Sequence, residues 1–131
     1  MWPFAHRGRQ PLGRRGEKLA RRFLSRRGLK ILARNYRCPR GEVDLIALDT
    51  STRRQSGAQT ICFVEVKTRT SDRYTDPESA VNADKQRHIR NAADYYLAAH
   101  DAKDFNVRFD IVSIVLREEA EPQIKHIADA F

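Results

Sequence analysis

Asp44, Glu65 and Lys67 stand where a core would be expected to hold apolar side chains. Asp44 shares a strand face with Ile46 and Leu48, and Glu65 and Lys67 share one with Ile61 and Phe63. Burying such charges costs several kcal/mol each unless they pair or bind a metal. In an antiparallel hairpin closed by residues 50–59, Asp44 falls opposite or diagonal to Glu65. Two carboxylates brought together repel, so one takes up a proton unless a cation sits between them. Hard oxygen ligands of this kind suit Mg²⁺ or Mn²⁺. An ammonium two residues from Glu65 can position or deprotonate a water, or stabilise charge on a transferring phosphoryl group. Two acids, a metal and a lysine are the parts of metal-assisted phosphodiester hydrolysis. The structural alternative is a buried Asp–Lys or Glu–Lys ion pair at the sheet end.

Glu17 is the one acid among the first 41 residues. On a helix it lies at the edge of the apolar face, where it can look toward the sheet and join the acidic pair. The alternative is an i,i+4 salt bridge with Arg21. Lys85 falls in the first turn of a helix, in line with its buried face. It would meet a phosphate there beside free backbone N–H groups, or simply snorkel over the helix end. Arg108 and Asp110 share a strand face and read as a structural charge pair.

The elements that must position these groups follow from periodicity. Residues 1–12 read as a flexible basic arm, and 13–131 as a single domain. Gly13 to Arg27 is helical, with Leu19, Ala20, Phe23 and Leu24 on one face and Gly28 as the stop. Lys30–Cys38 reads as a strand, with Ile31, Ala33 and Asn35 on one side. In the next strand, Glu42–Asp49, Val43, Leu45 and Ala47 take one face. Thr50–Gln59 reads as a long hairpin loop, and Thr60–Thr68 as a third strand. Residues 69–81 form a polar connection. Asn82 caps a helix running to about His100, whose Ile89, Ala92, Ala93, Tyr96 and Leu97 keep helical spacing. Val107–Leu116 is a further strand, parallel to the third through a right-handed crossover. Gln123–Ile127 adds a short edge strand. The order α-β-β-β-α-β(-β) predicts an α/β sandwich with a central mixed sheet.

Composition sets the class of partner. The 131 residues carry a net charge of +8. Residues 1–41 hold thirteen basic groups against one acid, a net +12, while the rest sums to −4. A basic pole on a mildly acidic body predicts a polyanionic partner, nucleic acid ahead of a membrane surface. The first helix turns Arg14, Lys18, Arg21, Arg22 and Arg26 outward, as a phosphate-facing surface or a solvated one. Mean hydropathy is −0.67, and no run approaches the ~18 apolar residues of a membrane span. No apolar leader follows the N-terminus, and the Ser enrichment of an organelle transit peptide is missing. Cys38 and Cys62 form no CxxC, so a zinc site is not expected and a reducing cytoplasm is.

The segments GRRGEKLARRFL (13–24), ILARNYRC (31–38), GEVDLIALD (41–49), FVEVKTRTS (63–71), AVNADKQRHIRNAADYYL (80–97), RFDIVSI (108–114) and HIADAF (126–131) resemble the YraN family. The resemblance spans nearly all of the chain after the first dozen residues. It implies the restriction-endonuclease-like, PD-(D/E)xK fold, similar to archaeal Holliday-junction resolvases. Carried over, Asp44 is the motif's first acid, Glu65 its second and Lys67 its lysine, and Val66 offers its main-chain carbonyl to the metal. Glu17 resembles the helix-one glutamate of the resolvase-like branch, and Lys85 the lysine opening the second helix. Val43 stands where the motif's proline would be. The expectation is a Mg²⁺- or Mn²⁺-dependent nuclease acting on DNA rather than RNA, on branched or structured substrates, as a homodimer. Arg14, Arg15, Lys18, Arg21, Arg22, Arg69 and Lys85 are expected to hold nucleic acid. The alternative is a nucleic-acid-binding protein of the same fold without turnover.

Overall fold

Ile61 and Phe63 point to one side of strand Thr60–Arg69, and Cys62 and Val64 to the other; each is at most 3% exposed. A strand buried on both faces belongs at the centre of a sheet, and this one is third of five. The computed structural model describes residues 10–70 and 81–131. In chain order the elements are α1 (Gln10–Arg26), β1 (Leu29–Cys38), β2 (Gly41–Asp49), a 3₁₀ turn (Thr50–Thr52), α2 (Arg53–Ser56), β3 (Thr60–Arg69), α3 (Ala83–Ala99), β4 (Asn106–Val115) and β5 (Gln123–Ile127). The sheet order is β1-β2-β3-β4-β5. Among the described strands only β3 and β4 run parallel, and they are the pair joined through α3.

The two long helices cover opposite faces. Ala20 and Leu24 of α1 pack on Leu45, Ala47, Cys62, Val64, Val112 and Ile114. Ile89, Ala92, Ala93 and Tyr96 of α3 pack on Val43, Ile46, Ile61, Phe63 and Ile111. Each fully buried leucine or isoleucine contributes about 1.5–3 kcal/mol of transfer free energy. The Asn82 side chain accepts the Lys85 N–H at 2.9 Å, so the expected cap is present. At the other helix, α1 ends before Gly28, whose φ of 90° lies in the left-handed region.

Two glycines let the helices come close. A Cβ at Gly16 would lie 1.8 Å from Thr68 Oγ1, and one at Gly41 would lie 2.0 Å from the His88 carbonyl oxygen. Gly16 therefore seats α1 on the end of β3, and Gly41 seats β2 under α3.

Four details differ from the sequence expectation. First, α1 begins at Gln10, within the expected arm; residues 1–9 lie outside the described residues, as do 71–80 of the polar connection. Second, the 50–59 loop folds into the 3₁₀ turn and α2, started by the Asp49 side chain accepting from Ser51 N–H at 3.0 Å. Third, Ile31 and Ala33 do not share a face, because a register shift between them bulges β1 at Leu32. Fourth, Val43 does not join Leu45 and Ala47; it packs with Ile46 on the α3 side. The cause of the last lies between the pairs Arg34↔Leu45 and Tyr36↔Val43. Asn35, between them on β1, has φ of 49°, a conformation Asn tolerates and most residues avoid. The pleat changes phase there, opposite Asp44. Among the described residues no helix is long and apolar enough to cross a membrane.

Candidate functional site

The β2–β3 register ends at Leu45↔Val64. One residue beyond it, the ladder gives way to a side chain: Asp44 Oδ2 accepts the Val66 N–H at 2.8 Å. Asp44 is thereby fixed against β3 beside Glu65. Val66 enters the site here through its N–H; the carbonyl expected to face a metal is a separate group that this contact leaves unengaged by Asp44.

Glu65 is 3% exposed. Its Oε2 lies 3.5 Å from Lys67 Nζ and 3.5 Å from Lys85 Nζ. Its Oε1 is buried and finds no hydrogen-bond donor among the described residues. Burial, then the charge of Asp44, pushes the Glu65 carboxyl up to about 7, against the pull of Lys85 and Lys67. A buried carboxylate oxygen with no donor is a costly arrangement. It is the kind of site that a proton or a cation completes.

Glu17 reaches the same place from α1. Its Oε1 accepts from Asn35 Nδ2 at a long 3.4 Å. Half-burial and then the Asp44 charge raise its pKa, while Asn35, Arg21 and Arg34 oppose the rise. Asp44 is thus the carboxylate to which both Glu17 and Glu65 are coupled. Glu17 does not complete a cage: among the described residues no set of three or more His, Cys, Asp and Glu side chains is arranged to hold a metal.

Of the cations expected to meet nucleic acid, Lys85 stands within the acidic site. Arg14, Arg15 and Lys18 are exposed on α1, and Arg69 is half-buried at the end of β3. Arg21 and Arg22 line an open groove of about 490 Å³ with Ser25, Arg26, Ile31 and Arg34. A second cleft of about 500 Å³, on the side of Lys85, is lined by Cys38, Arg40, Glu42 and His88 among others. The sequence reading missed Asn35 and Arg34. The signal for Asn35 was present, since an Asn inside a strand pattern is disfavoured unless its backbone turns.

The Arg108–Asp110 pair is structural, as expected, and larger than expected. Asp110 is fully buried and accepts from Arg108 Nε and Nη2 at 2.9 and 3.0 Å, from His126 Nε2 at 2.9 Å and from the Asp129 N–H at 2.9 Å. Burial alone would raise its pKa, but these donors hold it below the ordinary carboxylate value. Arg108 Nη1 also reaches Asp49 Oδ2 at 3.1 Å. Every Asp110 oxygen is satisfied, so this cluster lacks the opening that marks Glu65. Cys62 is buried beside it, its thiol pushed up to about 12 by burial and then by Asp110, which makes it inert.

Residues 16–114 match the family described as "Uncharacterised protein family UPF0102". The chain belongs to the UPF0102 family. It is 47% identical to a UPF0102 protein of Geobacter metallireducens over 120 residues, covering 92% of this chain and 91% of that one. A UPF0102 protein of Nocardia farcinica is 43% identical over 94% of this chain and 91% of its own. One from Pelobacter propionicus is 41% identical over 91% of this chain and 81% of its own. The YraN-like resemblance of the segments is therefore a family membership. The UPF0102 match encloses Glu17, Asp44, Glu65, Lys67 and Lys85, whereas His126 and β5 lie beyond it.

Proposed function

We propose that this UPF0102 chain is a divalent-metal-dependent nuclease of the restriction-endonuclease-like type, acting on branched or structured DNA. One observation carries the reading: among the described residues no donor reaches the buried Glu65 Oε1 beside Asp44, while two ammonium groups lie 3.5 Å from the other oxygen. Ordinary ion pairing would have satisfied that carboxylate.

Asp44 and Glu65 would hold Mg²⁺ or Mn²⁺, with Glu17 assisting. Such an ion supplies Lewis-acid stabilisation of charge on a phosphodiester. The chain's own groups do the rest. Asp44 is held beside Glu65 by the Val66 N–H on one of its oxygens. Lys67 Nζ orients a water or meets charge on the transferring phosphoryl group. Lys85 offsets the charge of Glu65 from the opposite element. The arginines of α1 hold phosphates and leave base identity unread. Cys38 and Cys62 are free thiols, which fits a reducing cytoplasm as the compartment.

Purified protein, Mn²⁺ and a panel of junction, flap, single-stranded and RNA substrates test the proposal. Metal-dependent DNA cleavage, reduced at least about a hundredfold in Asp44→Ala and in Lys67→Ala, is expected. Absence of cleavage would leave a binding protein without turnover; undiminished cleavage in both variants would show that this site does not do the cutting. A mobility measurement by light scattering, with and without junction DNA, tests the homodimer a resolvase needs.

A further inference from the structure

Arg21, Arg22 and Arg26 of α1 and Arg34 of β1 converge on one groove, about 490 Å³ in volume, with Ser25 and Ile31 between them. Arg22, Arg26 and Arg34 are exposed. Among the described residues none of the four forms an ion pair, although the chain has seventeen acids. Lys18–Arg22 and Arg22–Arg26 are like-charge i,i+4 pairs, which weaken a helix. Beyond the pull of Arg21 and Arg34 on the half-buried Glu17, the fold gains nothing evident from this arrangement. Arg26 alone would be explained by its place in the last helical turn, where a cation suits the macrodipole. Arg34 has no such explanation, because it comes from a strand. Four guanidiniums from two elements around a concave space form a receptor for an anion with more than one charge.

The groove also shares two of its cations with the acidic site. Arg21 and Arg34 are the cations that act on Glu17, and Glu17 is coupled to Asp44. An anion seated along Arg26, Arg22 and Arg21 would arrive at the carboxylates. A flat anionic surface would not need this concavity or this direction.

We propose that the α1–β1 groove binds the sugar–phosphate backbone of a nucleic-acid strand and leads it to Asp44 and Glu65, with Arg26 and Arg34 as phosphate-binding residues. The proposal rests on the nuclease reading of the neighbouring site, and deepens it by giving the strand a path. Because the groove meets phosphates and no base edges, binding is independent of sequence and steeply dependent on salt.

Binding is measured in EDTA, by fluorescence anisotropy of a fluorescein-labelled single-stranded oligothymidylate. The double reversal Arg26→Glu/Arg34→Glu is compared with Arg53→Glu/Arg54→Glu on α2, which changes the net charge equally at exposed positions beyond the end of β2. The groove variant should lose at least about tenfold more affinity than the α2 variant. In Arg26→Ala/Arg34→Ala the salt slope should shrink by about 1.4, or ~0.7 for each phosphate of the single strand that is no longer neutralised. Equal losses in the two double reversals, or an unchanged slope, would overturn the proposal. So would binding through the groove to phosphatidylserine vesicles but not to the oligonucleotide. No catalysis enters these measurements. A groove that binds in a protein that never cleaves keeps this inference and removes the nuclease; cleavage with full affinity in the groove variant does the reverse.

Discussion

Lys85 Nζ, on the first turn of α3, lies 3.5 Å from Glu65 Oε2 on β3. The contact spans twenty residues of chain and joins a helix to the strand it covers. It puts a second ammonium on a carboxylate that already has Lys67, also at 3.5 Å. Even so, burial and Asp44 outweigh both cations, and Glu65 is held toward its protonated form.

That balance fixes a pH dependence. The Glu65 carboxyl titrates near 7 when folded and at its ordinary 4.5 otherwise. A raised acid favours the folded state below 4.5, and that contribution is lost as pH rises through about 7. Glu65→Gln keeps the shape without the charge. Its stability should match the wild type near pH 5 and exceed it near pH 8, by on the order of 1–3 kcal/mol. Urea unfolding at the two pH values checks this, and a variant that is less stable at pH 8 contradicts it.

Divalent cations should stabilise the protein in the same pH window. Ligand carboxylates must lose their protons to bind a metal, so Mn²⁺ competes with the proton on Glu65. At about a hundredfold excess over Kd, the gain should reach about 2.7 kcal/mol at pH 8 and shrink at pH 5. Asp44→Asn should abolish it. Thermal unfolding with Mn²⁺, with Ca²⁺ and with EDTA measures the effect; an equal shift in wild type and Asp44→Asn would place the cation elsewhere.

Gly41 should tolerate no side chain. A Cβ there meets the His88 backbone carbonyl, which cannot rotate away. Gly41→Ala should cost about 1–3 kcal/mol, the usual range for overpacking. By prising α3 from β2 it should also draw the Lys85 ammonium off Glu65, whose proton then competes better with Mn²⁺ near pH 7 and weakens its binding. Calorimetric titration beside urea unfolding reads both effects.

Asp110 should be among the most destabilising sites to truncate. Asp110→Ala leaves the half-buried Arg108 and the His126 ring without their common partner, a loss of about 3–5 kcal/mol. Its depressed pKa sets the opposite sign from Glu65. The contribution of Asp110 is present above the ordinary carboxylate value of 3.8 and is lost as pH falls through its lower folded value. Acid unfolding of the wild type below pH 4, moved to higher pH by weakening the network with His126→Ala, is the expected pattern.

Much of the architecture was legible in the order of residues. The helical spacing of Ile89, Ala92, Ala93, Tyr96 and Leu97 marked α3, and Asn82 marked its start. The β3–α3–β4 succession required a parallel pair, because only a crossover lets two strands run alike. The faces of β1 and β2 were not legible, since one left-handed residue, Asn35, and one bulge at Leu32 reset the alternation on which the reading depends. Asn35 was missed although its residue type was a signal: an Asn inside a strand pattern points to a turned backbone, here a φ of 49°.

The order of residues was enough to show which charges are misplaced. Asp44, Glu65 and Lys67 break apolar patterns that are local in the chain, and local patterns survive without coordinates. It was also enough to show that the first 41 residues carry the basic pole. Which of these charges meet was settled by the packing of the folded chain. Lys85 reaches Glu65 because Gly41 lets α3 settle on β2, and Glu17 nears Asp44 because Gly16 lets α1 settle on Thr68. Arg34 faces Arg21 and Arg26 across a groove because β1 is the edge strand beside α1. Asp49 and His126 join Arg108 and Asp110 because β2, β4 and β5 lie in one sheet. Periodicity specifies the face a residue takes on its own element. Contact between elements depends on register and helix docking, which are set by close packing of residues far apart in the chain.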